Sequence, residues 1–304
     1  MIVLSELKPP AMKLRRQVVA DGRLILSSVV SSQIAVHSPY GGVVPELASR
    51  KHIEAIVPVV CQALGAGGIL RAGIEAVAVT QGPGLIGSLL VGFSFAKAFA
   101  MVRDIPWIGV SHLEGHINSV FLEPDPPAFP STALLASGGH TRIDHVTSHT
   151  QFDLMGQTRD HAAGEAFDKV AKMLGLGLSG GRHHLETGPR GGAGTNRLST
   201  DRYLDRSSFD FSFSGLKTAV GRYIHDHSRD LPERLADIAA GFQEAVVEVL
   251  VNKVIAAAVF KRCYRIALVG GVAANRRLRE KISLEAPRKG YFGLSARSRP
   301  LRGQ

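Results

Sequence analysis

The chain has 304 residues, 45% hydrophobic and 20% charged, with a formal net charge of +10. That apolar content builds a core and excludes wholesale disorder, and the length suits two compact units, expected at 1–128 and 129–304. The apolar stretches are interrupted by Gly, Ser and Lys97, the N-terminus turns to Pro-Pro and then Lys and Arg, and Cys61 and Cys263 form no paired motif, so a cytoplasmic chain with no membrane span, signal peptide or disulfide scaffold is expected.

In chain order, residues 23–30 read as a strand. Residues 45–64 read as a helix, with Pro45 at a first helical position and Ile53, Ile56, Val57, Val60 and Leu64 at helical spacing; Pro58 interrupts the pattern. AVAVT at 76–80 is a short buried strand running into the turn QGPGLIGS, after which a helix extends to about residue 102. WIGV at 107–110 is another strand, and TALLAS at 132–137 is a strand ending in the tight turn SGGHT. Residues 162–176 carry helical apolar spacing and a glycine stop, and 232–261 form a long amphipathic helix. RIALVGG at 265–271 is a strand entering a second glycine turn, with a helix opening at AANRRLRE. Strands alternating with helices predict an α/β fold with parallel or mixed sheets, and two glycine turns after buried strands suggest a ligand cleft at the strand ends.

Three features offer chemistry. In Ser137-Gly138-Gly139-His140-Thr141, two glycines let backbone N–H groups approach phosphate oxygens, although a plain turn explains the residues equally. Gly270-Gly271 before Asn275 repeats that logic. His112 and His116, four apart, share one helix face and can grip a metal, or stand as two solvated histidines. Glu114 points roughly 200° round the helix from His112, which speaks against a zinc peptidase. Asp168 is a candidate ribose or substrate contact, or an i,i+4 partner of Lys172, and Glu165 with Lys169 makes the same pairing. FSFSGLKTAV at 211–220 suits a strand or loop.

Taken together and in order, VVPELASRKHIEAIVP, VTQGPGLIGSLLVG, HLEGH, LASGGHT, AAGEAFDKVAKMLGL, FSFSGLKTAV and VGGVAANRRLR resemble the TsaD family, over most of residues 21–181 and 207–285. The resemblance implies a two-lobed α/β fold of the actin, heat-shock-ATPase and sugar-kinase superfamily. It also implies transfer of threonylcarbamoyl from threonylcarbamoyl-AMP to N6 of adenosine 37 in tRNAs reading codons that begin with A, with accessory proteins as partners. It makes His112 and His116 two of three protein ligands of an iron or zinc ion acting as a Lewis acid. It places Leu135, Ala136, Ser137, Gly138 and Gly139 on the nucleotide and acyl-phosphate, with Asp168, Gly181 and Asn275 completing the pocket. An acetate- or sugar-type kinase of the same superfamily is the other enzyme reading, and a non-catalytic remnant the other class.

Three stretches depart from the family pattern. Residues 5–20, 182–198 and 286–304 carry +3, +2 and +5, which accounts for the whole net charge, so the basicity is not a field spread over the fold. The family's N-terminal Gly-Ile-Glu-Thr-Ser-Cys-Asp-Glu-Thr is replaced by SELKPPAMKL, its acidic C-terminal motif carrying the third metal ligand is not found in 286–304, and His161 stands where an Asp is usual. Writing the N-terminal motif as GGA-ATT-GAA-ACC-TCC-TGC-GAT-GAA-ACT and dropping the first base yields Glu-Leu-Lys-Pro-Pro-Ala-Met-Lys-Leu, which is Glu6 to Leu14. The departures are therefore expected to be out-of-frame translation, from sequencing slips or a decaying gene, with genuine divergence the other reading, and the chain as written a weak metal binder and a poor enzyme.

Overall fold

The computed structural model describes residues 2–5, 13–40, 42–176, 208–227, 231–263, 265–288 and 294–296. Gly181, the Pro9-Pro10 pair and most of the second and third departing stretches lie outside them. Two compact units are present, Met1–Gly115 and His116–Pro300.

The first unit holds a five-stranded sheet in the order β3-β2-β1-β4-β5, built from β1 (Ile2–Ser5), β2 (Lys13–Ala20), β3 (Leu24–Ser32), β4 (Ala76–Gly82) and β5 (Trp107–Ser111). β1, β2 and β3 form an antiparallel meander, while β4 runs parallel to both β1 and β5. A short helix α1 (Ile34–His37) precedes α2 (Pro45–Ala66). α2 starts at Pro45, whose fixed φ and missing N–H suit the first helical turn, and it continues through Pro58. Its inner face, with Val60, Ala63 and Leu64, packs with Val18, Val77, Val79, Ala96 and Ala100. α3 (Ile86–Arg103) is long and apolar enough to cross a membrane by length and composition alone. In the unit it lies against α2 and β4. It turns the small residues Gly92, Ala96 and Ala100 inward, and Lys97 Nζ sits 5.7 and 5.6 Å from the Phe93 and Trp107 rings. α4 (His112–Asn118) follows β5 directly.

The second unit holds the sheet β10-β9-β6-β7-β8. Its strands are β6 (Ser131–Ala136), β7 (Thr141–Ser148), β8 (Gln151–Gln157), β9 (Ile266–Val269) and β10 (Leu294–Ala296). β6 lies at the centre, every residue buried, with β9 parallel on one side and the β7–β8 hairpin antiparallel on the other. The helices are α5 (Ala163–Met173), α6 (Ser214–Asp226), α7 (Leu231–Phe260) and α8 (Arg276–Arg288). The core joins Leu134 and Ile143 of the sheet to Phe167 and Val170 of α5 and to Phe242, Val246, Leu250 and Val254 of α7. The expected glycine stop after α5 is Gly175, at φ +71°.

FSFSGLKTAV departs from the expected strand or loop. Phe211 makes only a single bridge to Thr158, and the chain turns helical from Ser214. Leu216 and Val220, four apart, bury that helix's inner face. No local side chain caps α6; Asp160, 53 positions upstream of Phe213, accepts from the Phe213 N–H at 2.9 Å and the Ser214 hydroxyl at 2.7 Å. Its carboxylate also takes the Ser212 hydroxyl and the His161 N–H. Burial opposes ionisation of Asp160, but these donors together hold its pKa well below the usual carboxylate range.

Candidate nucleotide site

The SGGHT turn joins β6 to β7 and is held at Ser137, His140 and Thr141. The Ser137 N–H donates to the His140 carbonyl at 2.8 Å, and the Ser137 hydroxyl accepts from the His140 N–H at 3.1 Å. The Ser137 carbonyl accepts from the Gly164 N–H at 3.1 Å, and the Thr141 hydroxyl from the Ala163 N–H at 2.8 Å. The turn is thus fixed to the first turn of α5, whose N-terminal partial positive charge favours an anion. A Cβ built on Gly139 would meet nothing within 4 Å, so the space over the turn is open. Beside it, burial and then the Arg142 charge lower the His140 pKa and favour its neutral ring.

The second glycine turn lies against the first. β6 and β9 are parallel with Leu135 opposite Val269, so both turns leave the same sheet edge. Gly270 has φ +96°, and a Cβ there would stand 2.3 Å from the Ala136 carbonyl oxygen. Carboxyl ends of adjacent parallel strands with open glycine turns are where α/β sheets bind phosphate-bearing ligands.

The remaining expected residues take distinct places. Leu135 and Ala136 are buried in β6, where Leu135 stands between Arg142 and Val269 and Ala136 pairs with Thr141. Asp168 lies one turn beyond Gly164 on α5, on the same helix face, and is half-buried. Asn275 is buried with both ends of its amide committed: its oxygen accepts from the Leu278 N–H at 2.9 Å, capping α8, and its nitrogen donates to Gln243 at 2.8 Å. It shapes the VGG turn, and its side chain is engaged within the protein.

His112 and His116 lie in the short helix α4, four apart, with Glu114 exposed. Among the described residues, no group of three or more His, Cys, Asp or Glu side chains is arranged to hold a metal. Two imidazoles do not complete a metal site, which normally needs three or four protein ligands. His161, at the expected Asp position, lies 3.1 Å from the Glu165 carboxylate, and its Nε2 accepts from Lys217 Nζ at 3.4 Å. The expected Glu165–Lys169 pair forms at 2.8 Å.

A family model described as tRNA N6-adenosine threonylcarbamoyltransferase, TsaD, matches residues 24–295. The chain belongs to the TsaD family. Relatives of that name include proteins of Desulforapulum autotrophicum, 61% identical over 269 residues covering 88% of this chain and 80% of that protein, and of Syntrophus aciditrophicus, 52% identical over 264 residues covering 86% and 77%. Among solved structures, the ROK hexokinase of Thermus thermophilus aligns with a TM-score of 0.50 at 18% identity over 98% of this chain and 93% of that one. Component A of the Acidaminococcus fermentans (R)-2-hydroxyglutaryl-CoA dehydratase aligns with a TM-score of 0.50 at 16% identity, over 96% and 89%. At such identities these likenesses concern the fold alone, which is that of the actin, heat-shock-ATPase and sugar-kinase superfamily to which TsaD belongs.

Sequence reasoning missed the β7–β8 hairpin and the Asp160 cap. In Thr141–Ser148 the apolar Ile143 and Val146 stand three apart and Asp144 between them is buried, so no period of two marks the strand. Nothing local announces that Asp160 meets a segment 53 positions away.

Proposed function

We propose that this TsaD-family chain is a transferase that moves the threonylcarbamoyl group of threonylcarbamoyl-AMP to N6 of adenosine 37 in tRNAs reading codons that begin with A, in the cytoplasm. The observation that carries this reading is the pair of glycine turns at the ends of β6 and β9, the first bonded to the start of α5. In this reading the backbone of Ser137, Gly138 and Gly139 holds the AMP phosphate, and Asp168 and Gly181 complete the pocket. Asn275 contributes by fixing the second turn. The adenine N6 attacks the carbamoyl carbon, the bond from that carbon to the phosphate oxygen breaks, AMP leaves, and N6 gives up a proton. The turn stabilises the charge that grows on the leaving phosphate and fixes the carbonyl for attack.

His112 and His116 are the two residues that would hold an iron or zinc ion, which would act there as a Lewis acid. Accessory proteins fit the exposed Leu90, Met101 and Val102 of α3. The reading is tested by single-turnover transfer to tRNA with purified protein, beside a version with the three departing stretches restored to the family pattern. Formation of the modified nucleoside by the restored chain supports it, and no transfer by either overturns it. Metal analysis of the same two proteins is expected to give less than one ion per chain for the unrestored one.

A further inference from the structure

The first unit buries a polar cluster that the proposed reaction does not use. Gln33, just before α1, His37 at its end and His52 within α2 are 3%, 1% and 1% exposed. His52 Nδ1 lies 2.7 Å from the Ala48 carbonyl oxygen and 3.0 Å from the Gln33 amide. A bare ring lone pair would be repelled by a carbonyl oxygen at that distance. Nδ1 therefore carries the hydrogen, donates it to Ala48, and favours the Gln33 amide turned with its oxygen toward the ring. His37 is the opposite tautomer. Its Nδ1 accepts from the Val44 N–H at 3.3 Å, so it must be bare and the hydrogen sits on Nε2. Both Nε2 atoms and the far end of the Gln33 amide have no hydrogen-bond partner among the described residues.

We propose that His37, His52 and Gln33 form a proton-operated latch that holds the Val44 backbone, where α2 begins, only while both imidazoles are neutral. Protonating His37 places a hydrogen on Nδ1, facing the Val44 N–H, and the bond between that ring and the start of α2 becomes a clash of two donors. Protonating His52 puts a buried charge on a ring whose Nε2 finds no acceptor among the described residues. The groups acting on it are Arg16, 3% exposed on β2, and the His37 ring. Burial first, then Arg16 and His37, lower the His52 pKa against the bond to Ala48. The sign follows: a histidine whose pKa is lowered on folding leaves stability intact above about pH 6.5 and costs stability as pH falls below it. The latch therefore opens toward acid.

The test is amide exchange of the full chain, corrected for the intrinsic pH dependence of exchange, with imidazole nitrogen NMR on the same sample. Exchange at Val44 and through the first turns of α2 should rise at least tenfold, relative to β4 and β5, between pH 7.5 and 5.5. In His37→Gln, whose amide oxygen accepts from Val44 at any pH, that rise should shrink severalfold. NMR at pH 7.5 should show hydrogen on Nδ1 of His52 and Nε2 of His37. A flat exchange profile in the parent, an unchanged rise in a folded His37→Gln, or a cationic His52 at pH 6.5 would each overturn the latch. The NMR arm needs no variant, so a misfolded substitution leaves the proposal open to disproof.

Discussion

Gly270 approaches Ala136 so closely that no side chain fits between them: a Cβ on Gly270 would lie 2.3 Å from the Ala136 carbonyl oxygen and 2.8 Å from its carbon. The contact joins the ends of β6 and β9, and it lets the two glycine turns share one sheet edge. Gly270 also holds φ +96°, which L side chains rarely adopt. Gly270→Ala therefore meets both backbone strain and overpacking. The two costs together come to about 2–5 kcal/mol. Urea unfolding of the variant beside the parent measures this, and a loss under about 1 kcal/mol would mean that the strands part without cost.

Gly139 is the contrasting case. Its Cβ would enter open space, so Gly139→Val should leave unfolding nearly unchanged. The same valine would occupy the space over the turn where the substrate phosphate is placed. Affinity for the adenylate is expected to fall at least tenfold, read by equilibrium binding in the chain with its departing stretches restored. Unchanged affinity would move the phosphate elsewhere.

Glu244 on α7 ties down α8 through Arg277, with bonds of 2.6 and 2.9 Å, and Lys281 at 2.8 Å. The Arg277 bonds, working against burial and helped by Lys281, hold the Glu244 pKa down to about 2. A carboxylate whose pKa is depressed on folding contributes stability above its unfolded value, and that contribution fades as pH falls through the folded one. The loss should run from about pH 4.5 down to about pH 2. Glu244→Gln should lower stability at pH 7 and flatten that acid limb, as followed by thermal unfolding across pH. The network is partly exposed, so the effect should also shrink in high salt.

Gln17 lies in β2, at the edge of the first departing stretch. It is fully buried and donates to the Ser28 hydroxyl at 3.1 Å, while its amide oxygen has no partner among the described residues. Leucine has similar volume and no polar atom to strand. Ser28 is partly exposed and can turn to water. Gln17→Leu should therefore stabilise the chain by about 1 kcal/mol. Denaturant midpoints decide it, and a clear loss of stability would show that the amide contributes more than its orphaned oxygen costs.

Much of this protein was readable along the chain. The strand over 76–80, the helices near 45–64 and 232–261 and the two glycine turns are local properties, because burial of one face writes its period into the adjacent residues. The ordered motifs were enough to name the family. What tertiary structure decided are the meetings of residues far apart in sequence. Ser214 begins a helix because Asp160 supplies the cap that its neighbours lack. Asn275 caps α8 at Leu278 and reaches Gln243 on α7, contacts that no local pattern announces. His37 and His52 show no pattern in sequence; the Val44 N–H fixes the tautomer of the first ring and the Ala48 carbonyl that of the second. Periodicity records which face a segment hides; it does not record what that face meets, because the partner is chosen by packing and by the need to satisfy every buried polar group.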